Sequence, residues 1–400
     1  MHKHTPSSLA DIQTIIQGAL ADNQPLRIEG SASLSDFGER VEADQILSTS
    51  KLSGIIDYEP AELVLTAHTG TPLDEILTLL DNQNQMLAFD PPYLQPHLGT
   101  SGRGTLGGLL GTGLSGPRRI SAGGVRDYLL GFNGVSGRGD IFKSGSRVMK
   151  NVTGYDLSKL MVGSFGTLAV LDEVTLKTLP KPETSQSLIV ASAHLAEARA
   201  FLRAAFGSSV EPSAGAILPA SFLRDLLDDK AQFGAVLRLE GVAESVADRL
   251  KTARMLTTLP VTQLDQSQSE DLWRHIAEAT WLKDKGALWR VSVAPEAGPE
   301  LVQTLTQKTD CAWLMDWAGG LVWIAGHDAG LGELIRSSLG ADGGHASCLH
   351  GADASQGVPV FQPANSVLAD INRRVKEAFD PRHILCPGKM VALREGGKES

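Results

Sequence analysis

Apolar residues near the N-terminus recur first at helical and then at strand spacing. Leu9, Ile12, Ile16 and Ala19 share one face of a helix that starts around Thr5-Pro6-Ser7-Ser8, where proline suits the first turn. Leu26-Arg27-Ile28 reads as a short strand that stops at Gly30-Ser31-Ala32-Ser33. A β–α–β passage follows. Its first strand is Leu63-Val64-Leu65-Thr66-Ala67, and its helix carries Leu73, Ile76, Leu77 and Leu80 at i, i+3, i+4, i+7. Thr71 is placed to cap this helix, Pro72 to take its first position and Asp74 to meet its positive end. Met86-Leu87-Ala88-Phe89 then reads as a further strand, ended by Asp90-Pro91-Pro92.

After Lys177 the texture changes. Thr178-Leu179-Pro180-Lys181-Pro182-Glu183 has the composition of a linker. Beyond it, short apolar runs at 188–191, 235–239, 288–293 and 321–324 alternate with helical patterns at 195–206 and 243–256. That alternation predicts an α+β region with antiparallel strands and helices on one face. Trp313, Trp317 and Trp323 fit the core of such a sheet. A last helix over 367–379 precedes Asp380-Pro381 and Cys386-Pro387-Gly388-Lys389. The chain is therefore expected to divide at 1–181, 182–362 and 363–400, the last part a helix and tail returning toward the first.

Glycine changes the picture between these two halves. Of 42 glycines, 18 fall between Gly99 and Gly166. Glycine is entropically costly in regular structure, so the crowding implies tight turns, or backbone that closely approaches a bound group. Two loops there and upstream can hold a pyrophosphate. In Gly30-Ser31-Ala32-Ser33, small residues let successive N–H groups converge on an anion, and two hydroxyls add donors. In Thr105-Leu106-Gly107-Gly108 a hydroxyl precedes paired glycines. Neither is a Rossmann fingerprint or a P-loop, so the sequence favours a dinucleotide held by neutral backbone donors in another fold.

Composition narrows the class further. The 400 residues carry a formal net charge of −10 and no basic run, which disfavours nucleic acid and anionic membrane as partners. No apolar run reaches the roughly 18 residues of a spanning helix, and the N-terminus lacks the pattern of a secretory signal. Cys311, Cys348 and Cys386 stand far apart, fewer thiolates than the roughly four an iron–sulfur cluster requires. No metal-ligating motif is found. A cytoplasmic chain is expected, with any contact at the inner face of the membrane made through partners, and with iron–sulfur wiring on another chain.

The order of segments resembles the vanillyl-alcohol oxidase or PCMH-type flavoproteins, and within them the FAD-binding subunits of bacterial glycolate oxidases. The resemblance is carried by residues 27–33, 63–67 with 70–73, 105–108, 113–119, 125–131, 148–157, 160–168 and the terminal Pro387-Gly388-Lys389, with an echo at 288–293. It implies a PCMH-type FAD-binding domain of two subdomains followed by a smaller α+β, ferredoxin-like cap. It places FAD against Gly30, Ser31, Ala32 and Ser33 and against Thr105, Leu106, Gly107 and Gly108. Gly163, Ser164, Gly166, Thr167 and Val170 would line the other side. The first loop has serine and alanine where relatives often have glycine, and Cys386 stands where many have asparagine. With no histidine in the first loop, the flavin is expected to be non-covalent.

Oxidation of a 2-hydroxy acid at a flavin requires a base on the hydroxyl and a cation on the carboxylate. Arg118, Arg126 and Lys150, together with Arg119, are the cations nearest the flavin motifs, and arginine suits bidentate carboxylate recognition. Arg126 with Asp127 also fits a structural ion pair, and the Arg118/Arg119 pair a solvent or partner contact. His345, between Gly344 and Ala346, is the histidine best placed as a base. The resemblance implies a subunit that relays electrons between a catalytic FAD subunit and an iron–sulfur subunit of a glycolate oxidase-like complex. A self-sufficient 2-hydroxy-acid dehydrogenase and a structural subunit without flavin stand as alternatives.

Overall fold

The computed structural model describes residues 2–145, 155–227, 230–339, 343–351 and 358–390, and the backbone of 393–394 and 398–399. Its first layer is a small parallel sheet. β1 (His2–His4) and β2 (Leu26–Glu29) flank β3 (Gln45–Ser48), and α1 (Leu9–Asp22) crosses between the first two. Ser8 caps α1 by accepting from the Asp11 amide, and Ile12, Ile16 and Ala19 are its buried face, as the helical spacing predicts. β1 was not expected from the pattern, because three residues of His and Lys carry no apolar period.

The second layer is a five-stranded antiparallel sheet. Its strands are β4 (Ile55–Glu59), β5 (Val64–His68), β7 (Leu129–Ser136), β8 (Ile141–Gly145) and β9 (Ala169–Lys177), in the order β4-β5-β9-β7-β8. On it pack α2 (Leu73–Asp81), α3 (Leu106–Thr112) and the single-turn helices α4 (Arg119–Ala122), α5 (Val125–Tyr128) and α6 (Ser158–Met161). Three expectations are corrected here. Thr71 does not cap α2: its hydroxyl donates to the His68 carbonyl (2.7 Å) and accepts from the Gly54 amide (2.9 Å), leaving Pro72 as the cap residue. The strand expected at 86–89 is only β6 (Gln85–Met86), and Leu87, Ala88 and Phe89 are buried in the core as loop. The linker expected at 178–183 is built in. β10 (Leu179–Pro180) pairs with β6, and the Thr178 hydroxyl, fully buried, donates to Gln85 (2.6 Å).

The third layer is an eight-stranded sheet in which every pairing is antiparallel. It uses β11 (Thr184–Ser192), β12 (Ala214–Pro219), β13 (Phe233–Gly241), β14 (Val261–Leu264), β15 (Ala287–Ser292), β16 (Ala312–Asp316), β17 (Leu321–Gly326) and β18 (His345–His350). One face buries against α7 (Leu195–Phe206), α8 (Ala243–Met255), α10 (Ala297–Thr306) and α11 (Leu331–Ser337). The expectation of helices on one face is corrected in part, because α9 (Gln266–Ala277) covers the other face through Leu272, Trp273 and Ile276. The rest of that second face meets the first half of the chain at Phe37, Leu94 and Leu114. Trp313, Trp317 and Trp323 are all buried core residues.

The C-terminal helix α12 (Ser366–Phe379) leads the tail back to the first layer, where Leu26 donates to the Ile384 carbonyl (2.7 Å) and Cys386 to the Leu26 carbonyl (2.8 Å). Lys376 locks this return. Its buried ammonium donates to the carbonyls of Thr167 (2.8 Å) and Leu385 (2.9 Å) and to the Asp380 carboxylate (2.7 Å).

Candidate cofactor site

A cleft of about 1070 Å³ opens where the three layers meet. Its floor is the loop after β2. Gly30 sits there because a Cβ would lie 2.2 Å from the Thr105 hydroxyl, so the two predicted loops touch and only glycine fits between them. Ala32 takes a left-handed backbone (φ +59°), unusual for alanine. Among the described residues, no acceptor takes the amides of Ser31, Ala32 or Ser33. Three successive unpaired N–H groups beside a cavity form an anion-binding concavity.

The second loop contributes differently from the expectation. Leu106 donates to the Thr71 carbonyl (3.0 Å), Gly107 to the Thr69 carbonyl (2.7 Å) and Gly108 to the Thr105 hydroxyl (3.3 Å). Those donors are spent on the 69–71 segment and on capping α3, so they do not form a phosphate nest. Leu106 is fully buried and points into the core. What the loop offers is space. Gly108 and Gly111, one turn apart on α3, both line the cleft. A Cβ would meet nothing nearer than 3.6 Å at Gly108 and 3.9 Å at Gly111. Protein packing does not demand glycine at either position, so the bare helix face leaves room for a group outside the chain.

The third segment divides between the cleft wall and the structure behind it. Ser164 and Gly166 line the cleft with Phe165, which packs edge-on against Phe37 (5.3 Å) and Phe361 (5.2 Å). Gly163 and Thr167 stand behind this wall. Gly163 donates to the Leu110 carbonyl (2.9 Å), and the Thr167 hydroxyl to the Ser164 carbonyl (2.7 Å). Val170 is corrected outright: it is buried with α1, and its strand neighbours Ala169 and Leu171 line the cleft instead. Successive strand side chains face opposite ways, so Val170 turns away from the cleft that its two neighbours line.

Of the substrate-side candidates, Arg118 is a structural residue. It pairs with Asp90 and, through Nε (2.9 Å) and Nη2 (2.7 Å), with Glu240. Arg238 joins by binding Asp90 (2.9 Å). Burial disfavours both charges, but Arg238 and Arg118 outweigh it and hold the Glu240 carboxyl at about 2. Asp90 and Glu240 likewise outweigh burial and raise the Arg118 guanidinium. This network ties the eight-stranded sheet to the first half. Arg126 is exposed, and its neighbour Asp127 caps the Gly124 amide (2.8 Å). Lys150 lies outside the described residues. His345 is at the exposed start of β18 and does not line the cleft; His350, at the other end of that strand, does.

Sequence reasoning passed over Arg290. It lies on β15, on the sheet face turned toward the first half, 5.0 Å from the Trp317 ring, while Arg119 stacks on Trp317 at 4.4 Å. Burial, then Arg119, pulls the Arg290 guanidinium down to about 10 against the opposing effect of Asp316. Among the described residues Arg290 has no ion-pair partner, and its Nε has no acceptor. The signal was a lone charge at the centre of an apolar strand.

An anion concavity, a glycine-faced helix and an overlying antiparallel sheet are combined here in the fold that PCMH-type flavoproteins share. Residues 4–145 match the family model described as FAD binding domain. Over 97% of this chain and 88% of the other, the fold superposes on the crystal structure of p-cresol methylhydroxylase with substrate bound, at a TM-score of 0.68 and 15% identity. The chain is 34% identical to glycolate oxidase subunit GlcE of Escherichia coli (strain K12), covering 94% of this chain and 95% of that one. Glycolate oxidase subunit GlcD of Bacillus subtilis (strain 168) is 25% identical over 88% of this chain and 80% of its own length. The protein belongs to the family of glycolate oxidase subunit GlcE and is an FAD-binding oxidoreductase subunit. Among the described residues, no helix is long and apolar enough to cross a membrane.

Proposed function

We propose that this chain is the FAD-binding subunit of a glycolate oxidase-like complex that takes part in oxidising a 2-hydroxy acid, such as glycolate, to its 2-oxo acid. The observation that carries this reading is the glycine-faced cleft with its unpaired amides in a chain that aligns from end to end with GlcE. The flavin, bound without a covalent link, supplies a hydride and electron acceptor. The chain's own residues hold the pyrophosphate at Ser31, Ala32 and Ser33, seat the cofactor against Gly108 and Gly111, and exclude water behind Phe165. In this reading the site relays electrons between a catalytic FAD subunit and an iron–sulfur subunit. Any iron–sulfur cluster on this path would sit on another chain, because three scattered cysteines are fewer than the roughly four a cluster takes.

Arg290 favours a second reading, in which this chain also binds the substrate. An unpaired, part-buried guanidinium on the sheet face turned toward the first half of the chain suits a carboxylate. One experiment separates the two. The flavin spectrum of the isolated, FAD-loaded chain is recorded before and after anaerobic addition of glycolate or D-lactate. Bleaching by the isolated chain supports substrate binding here. Bleaching only in the assembled complex supports relay. A chain that takes up no FAD at micromolar concentration refutes both.

A further inference from the structure

Two residues that line the cofactor cleft each carry a buried side-chain atom with no hydrogen-bond partner among the described residues: Arg27 at Nε and Gln95 at Oε1. They differ in kind. Arg27 Nε is a donor, which an anion can satisfy. Gln95 Oε1 is an acceptor, and phosphate oxygens, themselves acceptors, cannot satisfy it. Gln95 is only 2% exposed, and a carbonyl left unpaired at that depth is costly.

The amide cannot turn to relieve this. Gln95 Nε2 donates to the Arg103 carbonyl (3.0 Å), which can only accept, so an end-for-end flip would set two acceptors against each other. The surrounding loop is held as well. The Thr100 hydroxyl donates to the Ser33 carbonyl (2.8 Å), and the Thr100 amide to the Gln95 carbonyl (3.2 Å). On the other side Glu278, the C-cap of α9, holds the loop twice. Its carbonyl lies 2.8 Å from His97 Nε2, and its carboxylate 3.8 Å from Arg103 Nη2. Arg103 also meets Asp74 (3.3 Å) and the Tyr93 ring (4.9 Å).

The place of this orphan points to its partner. Gln95 meets the anion concavity at Gly104, which has a φ of +82°. A Cβ there would lie 2.6 Å from Ser33 Oγ, 3.4 Å from Gln95 Nε2 and 3.9 Å from Ser31 Oγ. The Gln95 amide therefore stands beside the loop that suits a pyrophosphate. In FAD the pyrophosphate is flanked by donors on both sides: ribityl hydroxyls on one, ribose hydroxyls and the adenine amine on the other.

We propose that Gln95 is a cofactor-binding residue whose side-chain carbonyl accepts a hydrogen bond from a hydroxyl or amine of FAD next to the pyrophosphate. The inference rests on the FAD site described above and deepens it. The loop that carries Gln95 is pinned to α9, so this contact also ties cofactor binding to the packing of the eight-stranded layer on the first half.

Two measurements test this. Gln95→Met keeps the length of the side chain and removes the acceptor. The FAD-free variant should keep the wild-type circular dichroism, and FAD, followed by flavin fluorescence quenching, should bind about 3- to 10-fold more weakly, the worth of one neutral hydrogen bond. ADP and FMN, titrated separately by calorimetry, identify the donor: a loss confined to ADP assigns it to the adenosine half, and a loss confined to FMN to the ribityl half. In the isotope-labelled wild-type chain, the NMR resonance of the Gln95 side-chain carbonyl should move downfield when FAD is added. A folded Gln95→Met chain that binds FAD with wild-type affinity overturns this inference alone. So does a loss shared by ADP and FMN or seen with neither, which marks a disturbed loop. A carbonyl resonance indifferent to FAD means that water completes Oε1, and overturns the inference even where the variant fails to fold. A wild-type chain that takes up no FAD overturns the cofactor site itself.

Discussion

Replacing Gly108 and Gly111 together with alanine should stabilise the empty protein and weaken its hold on FAD. Both glycines lie within α3, neither has a positive φ, and an added Cβ at either meets protein atoms only at ordinary contact distance. Alanine is favoured over glycine in a helix by about 1 kcal/mol, so the double variant gains roughly 2 kcal/mol without FAD, a melting temperature a few degrees higher. Each methyl enters the space the cofactor needs. An intruding methyl in a fitted site costs about 1–3 kcal/mol, or roughly 5- to 150-fold in Kd for each. Gly107→Ala is the control of opposite sign: its Cβ would sit 3.0 Å from the Thr69 carbonyl oxygen and Cβ, so the empty protein itself should be destabilised. Differential scanning fluorimetry of the FAD-free chain and titration by flavin fluorescence quenching measure the two effects separately. A double variant that melts higher yet binds FAD with wild-type affinity would refute the assignment of this helix face to the cofactor.

Three further outcomes follow from the buried charges. Lys376→Met leaves Asp380 buried with its charge uncompensated and should cost about 3–5 kcal/mol, read as a lower melting temperature and early proteolysis of the tail. Burial raises the Asp316 carboxyl from 3.8 to about 7. Its contribution to stability is thus fully present below the unfolded value and lost as pH rises through about 7, and Asp316→Asn should flatten that part of the melting-temperature profile. Glu240 is held down from 4.5 to about 2. Its contribution is present above 4.5 and lost as pH falls toward 2, so Glu240→Gln should lower stability at neutral pH and lessen the further fall in acid.

The parts of this fold legible in the sequence are those fixed by neighbours a few residues away. The face of α1 follows from spacing, and the two loops that line the cleft from small residues that admit a close approach. What could not be read depends on partners distant along the chain. The amides of Leu106 and Gly107 look free in sequence and are consumed by a segment some 35 residues earlier, at Thr71 and Thr69. Val170 packs with α1 while Ala169, Val174 and Leu176 share the other core, because the pairing of β9 with β7 shifts register between Leu171 and Glu173 and simple alternation does not carry across that bulge. Arg118 and Arg119 are adjacent and chemically identical, yet one is neutralised by Asp90 and Glu240, 28 and 122 residues away, and the other stacks on Trp317. Asp90 and Glu240 therefore decide which arginine stays available to an anion. The same logic separates His345 from His350. Both belong to β18, but only His350 lines the cleft, and which end of the strand does so is set by where β15 and the loops around the cleft lie against it. Local pattern identifies residue types suited to a reaction, and long-range packing selects which copy of each type is placed to perform it.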